Sequence, residues 1–150
     1  MIYLILVSAC LLGVDCKYNG KNNEDHKVID YLKDKQFVLV CPEQLGGLTT
    51  PRVPSEIVEG CGEAVLDRKA RVIDKEGKDV TKNFIKGAYE TLKIARLLNC
   101  SEAILKEKSP SCGTTIIYDG TFNNNLKQGL GVTAAILKRE GINLKSENKL

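Results

Sequence analysis

Short apolar segments alternate with longer amphipathic ones along this 150-residue chain. Residues 2–9, 37–40 and 103–105 have the length and aliphatic character of buried strands. Residues 28–35, 79–99 and 132–139 carry apolar side chains at helical spacing. Strands that alternate with helices indicate a mainly parallel sheet with right-handed crossovers. The pattern therefore predicts an α/β fold, a Rossmann-like three-layer domain that spans residues 1–150 as a single domain.

The part of the chain between the second strand and the longest helix is expected to hold a small hairpin insertion. Residues 45–54 contain two glycines and two prolines and are predicted to be irregular. Residues 64–66 and 71–73 are apolar runs separated by a polar turn, which is typical of a hairpin. Residues 119–128 are predicted to form a polar loop, and a last short strand is expected from Ile142.

Composition restricts the partners that this chain can bind. The net charge of +3 is far from the dense basic surface of a duplex-binding protein. Aromatic residues make up 5% of the chain and Trp is absent, which leaves little surface for stacking single-stranded bases. The composition therefore does not favour nucleic acid, whereas the mild positive charge could attract a phosphorylated small molecule.

The apolar run at the N-terminus has two interpretations. VSAC at residues 7–10 is similar to the cleavage site of a bacterial lipoprotein signal, which would make Cys10 a lipid anchor. However, no Lys or Arg precedes the run, and Leu11 and Leu12 continue it past that site. It is also shorter than the ~20 apolar residues that cross a bilayer. We therefore predict a buried strand, a cytoplasmic protein and no membrane partner.

Three cysteines follow the ends of predicted strands: Cys10, Cys41 and Cys112. The carboxyl ends of parallel strands meet at one edge of a sheet, where such folds bind ligands. In a reducing compartment, clustered cysteines are ligands or catalysts more often than disulfides. Three thiolates suit a [4Fe-4S] cluster that keeps one iron open as a Lewis acid. Zinc is the weaker candidate because the cysteines do not form paired C-x-x-C motifs.

The other three cysteines are interpreted differently. Cys100, at the end of the longest helix, and Cys61, between two glycines, are expected to be structural. Cys16 lies on the loop that follows Cys10. It could be a fourth ligand, a thiol that contacts substrate, or a disulfide partner of Cys10, and the spacing does not rank these three roles.

Polar residues near the three cysteines are candidate catalytic and substrate-binding groups. Glu43 could relay a proton, or it could be a solvated residue at the start of a helix. Ser109 and Ser111 could position a substrate or could only form a turn. Arg52, between two prolines, is a rigidly presented cation.

Backbone amides after the third cysteine are candidate anion-binding groups. Gly113 and the amides of Thr114 and Thr115 could form an anion nest. Residues 129–131, Gly-Leu-Gly ahead of a helix, could also expose amides to a phosphate. Together with the net positive charge, these segments favour a phosphorylated substrate.

Five segments resemble the thiouracil desulfurase (TudS-like) family, which was long known as a domain of unknown function. The resemblance runs in order over nearly the whole chain. Its motifs are SACLLG (8–13) with Cys16 and Tyr18, CPEQLGGL and TPR (41–48 and 50–52), KEKSPSCG (106–113), YDGTF (118–122) and GLGVTA (129–134). KYNG at residues 17–20 departs from the RYDG that is expected for the family.

The resemblance implies a non-redox desulfidase that removes sulfur from thiouracil, thiouridine or 4-thiouridine monophosphate, a small-molecule thiolated nucleobase or nucleotide. By position, Cys10, Cys41 and Cys112 would hold a [4Fe-4S] cluster that can be absent from aerobically prepared protein. Glu43 and Ser109 would be the catalytic groups. The expected substrate contacts are Cys16, Arg52, Ser111, Gly113 and Thr114.

Two other functions use the same cysteines. A non-catalytic iron–sulfur or nucleotide-binding module would bind its ligand without turnover. A thiol oxidoreductase would pair Cys10 with Cys16 and would be active without iron.

Overall fold

The computed structural model describes residues 3–150, so the predicted start of the first strand at Ile2 lies outside the described residues. Four strands form one parallel sheet: β1 (Leu4–Ser8), β2 (Gln36–Val40), β5 (Glu102–Leu105) and β8 (Asn143–Ser146). Their order across the sheet is β2-β1-β5-β8. The first strand is therefore central, as expected for a buried apolar segment.

Five α-helices and two small antiparallel sheets complete the described part of the chain. The helices are α1 (His26–Leu32), α2 (Pro42–Leu45), α3 (Gly62–Leu66), α4 (Thr81–Leu97) and α5 (Val132–Arg139), and a 3₁₀ helix spans Ala9–Leu12. The antiparallel pairs are β3 (Ser55–Val58) with β4 (Arg71–Asp74), and β6 (Ile116–Tyr118) with β7 (Leu126–Gln128). Within residues 3–150, no helix is both long and apolar enough to cross a membrane.

The parallel sheet lies between two helical layers because alternate side chains of β1 face opposite sides. Ile5 and Val7 pack with Val28 and Leu32 of α1. Leu6 points to the other side and belongs to the larger core, to which α4 and α5 contribute. The predicted α/β fold with a mainly parallel, Rossmann-like sheet is confirmed.

Small antiparallel hairpins are present, as predicted, but the predicted pairing of residues 64–66 with 71–73 is wrong. The first run lies in α3, and β4 pairs instead with β3, a strand that the sequence pattern did not indicate. A three-residue apolar run fits a strand or one buried helical turn equally well. Here tertiary contacts favour the helix, since Val65 is buried in the core and the Gly62 amide donates to the Leu130 carbonyl. The predicted loop 119–128 is also too long, because its last three residues form β7.

Two glycines bring α4 against α2, the helix that follows Cys41. A Cβ on Gly87 would clash with the Pro42 carbonyl oxygen, and a Cβ on Gly46 would clash with the Asn83 carbonyl oxygen. The Asn83 side-chain amide also donates to the Gly46 carbonyl at 2.9 Å. The backbone of α2 is thus fixed directly on α4, with no side chain between them.

We predict that Gly87→Ala destabilises the protein, although the same change in an exposed helix stabilises it by about 1 kcal/mol. The new methyl group must displace α2, and such overpacking costs about 1–3 kcal/mol. Denaturant unfolding measures the effect. Lys86→Ala, at the exposed neighbouring position, is the matched control and should change the free energy of unfolding by less than about 0.5 kcal/mol. An unchanged or raised stability for Gly87→Ala would contradict the close approach of the two helices.

Candidate functional site

The structure brings the three cysteines to one cavity at the carboxyl edge of the parallel sheet. Cys10 lies in the 3₁₀ helix after β1, Cys41 directly follows β2, and Cys112 lies on the loop after β5. All three line a cavity of about 380 Å³. Ligand pockets commonly measure about 300–1,000 Å³, so the cavity has room for a small molecule beside the thiols.

The loop that carries Cys112 is held by the first turn of α5. The Val132 amide donates to the Pro110 carbonyl at 2.8 Å, and the Thr133 amide donates to the Ser111 carbonyl at 2.9 Å. The amide of Gly131 donates to the Gly113 carbonyl at 2.8 Å. The Gly129 amide likewise donates to the Thr115 carbonyl at 3.0 Å, so neither glycine amide of the predicted phosphate site at residues 129–131 is free to bind an anion.

Cys16 lies beside both Cys10 and Cys41 and is almost completely buried, with 2% of its surface exposed. The hydrogen bond from the Cys16 thiol lowers the pKa of Cys10 and lowers the pKa of Cys41 to about 6. The same hydrogen bonds, with burial, raise the pKa of Cys16. Cys16 thus lowers the pKa of both neighbouring thiols, and its contact with both does not single out a Cys10–Cys16 pair.

The donor set fits an iron–sulfur cluster. All six cysteines are free thiols, and iron binds the thiolate form, which the lowered pKa values of Cys10 and Cys41 favour. Burial raises the pKa of Cys112 to about 12, so this thiol would release a proton when it binds metal. Within residues 3–150, no group of three His, Cys, Asp or Glu side chains could hold a single metal ion.

Glu43 lies at the cavity wall and is bound on both carboxylate oxygens. Oε1 accepts from Nε of Arg52 at 2.9 Å, and Oε2 accepts from Oγ of Ser111 at 2.9 Å. The hydroxyls of Ser111 and Ser109 are themselves 2.9 Å apart. A chain of hydrogen bonds therefore links Glu43 through Ser111 to Ser109, close to Cys112.

The side chain of Arg52 is 7% exposed and connects two loops of the site. Besides Glu43, its guanidinium donates through Nη2 to the Cys16 carbonyl at 2.9 Å. Its backbone amide donates to the Tyr18 carbonyl at 2.7 Å. The cation that the sequence suggested as a substrate contact thus also holds the Cys16 loop against Glu43.

The predicted anion nest exists, but its anion is a side chain of the protein. The amide of Thr114 donates to Glu107 Oε1 at 2.7 Å, and the amides of Thr115 and Ile116 donate to the same oxygen. Gly113 and Thr114 do not line the cavity. The expectation that these two residues bind a substrate anion is wrong, because Glu107 occupies the nest.

We predict that Glu107 stabilises the fold in a pH-dependent way. Burial raises the pKa of this carboxyl group, but hydrogen bonds from the amides of Thr115 and Ile116 and the hydroxyls of Thr114 and Thr115 outweigh burial and lower the pKa. Because the folded pKa lies below the ordinary value of 4.5, the stabilisation is present above that pH and is lost as pH falls through the folded pKa.

Glu107→Gln should therefore cost about 1–3 kcal/mol of unfolding free energy at pH 7, and the cost should shrink in acid. Chemical denaturation of the metal-free protein from pH 7 to pH 3 measures both effects. Glu59→Gln, at an exposed position, is the control and should follow the original protein at every pH. A cost for Glu107→Gln that stays constant with pH would contradict the bound carboxylate.

Several cavity residues were given no functional role in the sequence analysis, although most of them lie in its motifs. The cavity is also lined by basic, acidic and aromatic side chains, namely Lys17, Lys75, Lys106, Lys108, Glu56, Tyr118 and Phe122. Glu56 and Lys75 belong to β3 and the turn after β4, elements that the sequence pattern did not indicate. The YDGTF motif contains both aromatic residues, so it was the available signal for them.

The fold and the site together define an α/β domain with a thiol-lined cavity at the carboxyl edge of a parallel sheet. The chain belongs to the 2-thiouracil desulfurase family, whose model matches residues 5–149. This finding confirms the resemblance that the sequence motifs indicated.

Two individual proteins are similar over nearly the whole chain. Uncharacterized protein YbbK of Bacillus subtilis (strain 168) is 48% identical over 147 residues, which cover 98% of this chain and 97% of YbbK. The solved structure of TudS, described as a [4Fe-4S]-dependent thiouracil desulfidase, matches with a TM-score of 0.86 and 39% identity. That match covers 99% of this chain and 93% of TudS.

Proposed function

We propose that this protein is an iron–sulfur-dependent desulfidase that replaces the sulfur of a thiolated uracil compound with oxygen from water. The observation that carries the proposal is the convergence of Cys10, Cys41 and Cys112 on one cavity. Family membership and the similarity to TudS support the same chemistry. The thiols would be kept reduced in the cytoplasm, the location that the sequence predicts.

Cys10, Cys41 and Cys112 would hold a [4Fe-4S] cluster. When bound, the cluster supplies an iron that three thiolates leave open and that can act as a Lewis acid toward a soft sulfur atom. Cys16 would remain a protonated neighbour of Cys10 and Cys41, because its thiol hydrogen-bonds with both of their sulfurs.

Glu43 is the proposed proton acceptor. Arg52 and Ser111 fix its two oxygens in place at the cavity wall. A water molecule beside Glu43 would give its proton to the carboxylate as the water oxygen bonds to the thiocarbonyl carbon. Ser109 would position that water or pass its proton along the Ser111 hydroxyl. A thiocarbonyl compound and water give a carbonyl compound and hydrogen sulfide, so the reaction needs no external reductant.

A phosphorylated nucleotide is the favoured substrate. Lys17, Lys75 and Lys108 line the cavity and form no salt bridge within the described part of the chain. Cationic side chains without a carboxylate partner among residues 3–150 can bind the phosphate of 4-thiouridine monophosphate. These lysines take the role that the sequence analysis had given to the amides of residues 113–115 and 129–131.

Anaerobic reconstitution followed by an assay tests the proposal. We expect brown protein with about four irons per chain that releases sulfide from 4-thiouracil, 4-thiouridine or 4-thiouridine monophosphate, and we expect the thiocarbonyl absorbance to fall in parallel. Protein that binds the cluster but releases no sulfide from any of the three compounds would refute the enzyme and leave a non-catalytic binding module.

A further inference from the structure

Glu56 of β3 is a carboxylate at the cavity that the proposed reaction does not use. The residue is 8% exposed, lines the cavity and forms no salt bridge within residues 3–150. Carboxylates are rarely so buried without a cationic partner. The burial of the Glu56 carboxylate therefore needs an explanation, and its hydrogen bonds provide one.

One oxygen of Glu56 fixes the loop between β6 and β7. Oε1 accepts from the Gly120 amide at 2.9 Å and from the Phe122 amide at 3.1 Å. Gly120 has a φ of 92° and lies directly against the backbone of Ile57, where a larger residue would clash. The loop is thus held on β3, with Phe122 and Asn124 in the cavity wall.

The other oxygen, Oε2, has no hydrogen-bond partner among the described residues. It is not sealed from solvent either, because Thr133 Oγ1 is the one fully buried side-chain nitrogen or oxygen of residues 3–150 that lacks a partner. Since Oε1 is held by two amides, the orientation of the carboxylate is fixed. Oε2 is then a preorganised acceptor for a ligand that donates hydrogen bonds.

We propose that Oε2 of Glu56 accepts hydrogen bonds from the ribose hydroxyls of a thiolated nucleoside or nucleotide. This inference rests on the proposed function and adds the group that recognises the sugar. Carboxylates recognise ribose hydroxyls in other α/β proteins because each hydroxyl donates a charge-assisted bond.

The surrounding elements agree with a sugar at this position. Cys10, Cys41 and Cys112 come from the parallel sheet, whereas Glu56 comes from the separate β3–β4 sheet. Lys75 follows β4, and its amide donates to the Pro54 carbonyl next to β3 at 2.9 Å. The hydroxyl acceptor and a cation thus come from one sheet and the thiols from the edge of another. In our proposal the ribose and phosphate face β3 and β4, and the thiolated base faces the thiols.

The test compares two substrates and two proteins. The reconstituted original protein and Glu56→Gln are each assayed with 4-thiouridine and with its 2′,3′-dideoxy analogue. Gln keeps a carbonyl oxygen for the Gly120 and Phe122 amides but presents no second carboxylate oxygen. Glu59→Gln, exposed and outside the cavity, is the matched control.

For the original protein and for Glu59→Gln, we expect kcat/KM for the dideoxy analogue to be at least about tenfold lower than for 4-thiouridine, mainly through a higher KM. The analogue lacks both ribose hydroxyls, so Oε2 of Glu56 would be left without a hydrogen-bond partner. In Glu56→Gln the two substrates should differ by less than about threefold, and turnover of free 4-thiouracil should fall less than turnover of 4-thiouridine.

Equal kcat/KM values for both nucleosides in the original protein would overturn the inference without any variant. An equal loss for 4-thiouracil and 4-thiouridine in Glu56→Gln would also overturn it, because Oε2 would then bind the ring. Both results require that sulfide is released, so they are distinct from failure of the proposed function, in which no compound yields sulfide.

Discussion

Replacing Cys10, Cys41 or Cys112 singly with Ala is expected to abolish retention of the cluster and all sulfide release. Each variant removes one of the three thiolates that would hold the cluster, and two thiolates do not retain it. The iron and sulfide contents after anaerobic reconstitution, with the visible spectrum, measure the loss. Far-ultraviolet circular dichroism should show that the fold remains, because the ends of β1, β2 and β5 are positioned by the sheet.

Two other cysteines serve as controls for this experiment. Cys61 lies just before α3, and its thiol donates to the Glu63 carboxylate. Cys100 is buried just after α4, and neither cysteine lines the cavity. Cys61→Ala and Cys100→Ala should keep the full iron content. Retention of the cluster after loss of Cys10, Cys41 or Cys112 would contradict the assigned ligands.

Cys16→Ala tests whether Cys16 is a fourth ligand of the cluster or a neighbouring thiol that does not bind iron. We expect this variant to keep the cluster but to have lower activity, because three thiolates must suffice if one iron is to stay open. The measured iron content decides between them. Loss of the cluster would make Cys16 a fourth ligand and would argue for electron transfer or a structural role.

Glu43→Gln is expected to lower kcat by about 10²–10⁴-fold, the usual contribution of a positioned proton acceptor, with the iron content unchanged. The amide can still accept a hydrogen bond from Arg52 or Ser111, but it cannot take a proton from water. Steady-state assays of the reconstituted protein measure this effect. Ser109→Ala should also lower kcat at constant iron content.

Glu63→Gln is the matched control, because Glu63 lies in the first turn of a short helix, as Glu43 does, but does not line the cavity. Its kcat should equal that of the original protein. Nearly full activity in Glu43→Gln would contradict the role of Glu43 as proton acceptor. Loss of iron in that variant would indicate that the role of Glu43 is structural.

The features that could be predicted from the sequence are those with a local pattern. The strands of the parallel sheet and the long helix α4 repeat apolar residues at characteristic spacings, and they were located within one or two residues of their ends. The positions of Cys10 and Cys41 could be predicted because each residue lies just after the end of a strand. Because parallel strands share one carboxyl edge, their convergence with Cys112 also follows from the alternating pattern.

The features that were missed depend on contacts between distant parts of the chain. Residues 64–66 form a helix because α5 packs on them, and no local signal records this contact. The nest at Gly113 and Thr114 is filled by Glu107, a residue that the sequence analysis treated as part of a motif. Glu56 is functional in our proposal because β3 places it beside the loop of Phe122, more than sixty residues away.

The stoichiometry of the reaction in ¹⁸O-labelled water tests the proposed hydrolytic desulfurisation most directly. Cluster-replete protein is incubated anaerobically with 4-thiouridine monophosphate and without any reductant. We predict one sulfide for each uridine monophosphate formed, with one labelled oxygen in the product. Absence of sulfide, or sulfide release only after a reductant is added, would contradict a hydrolytic desulfidase.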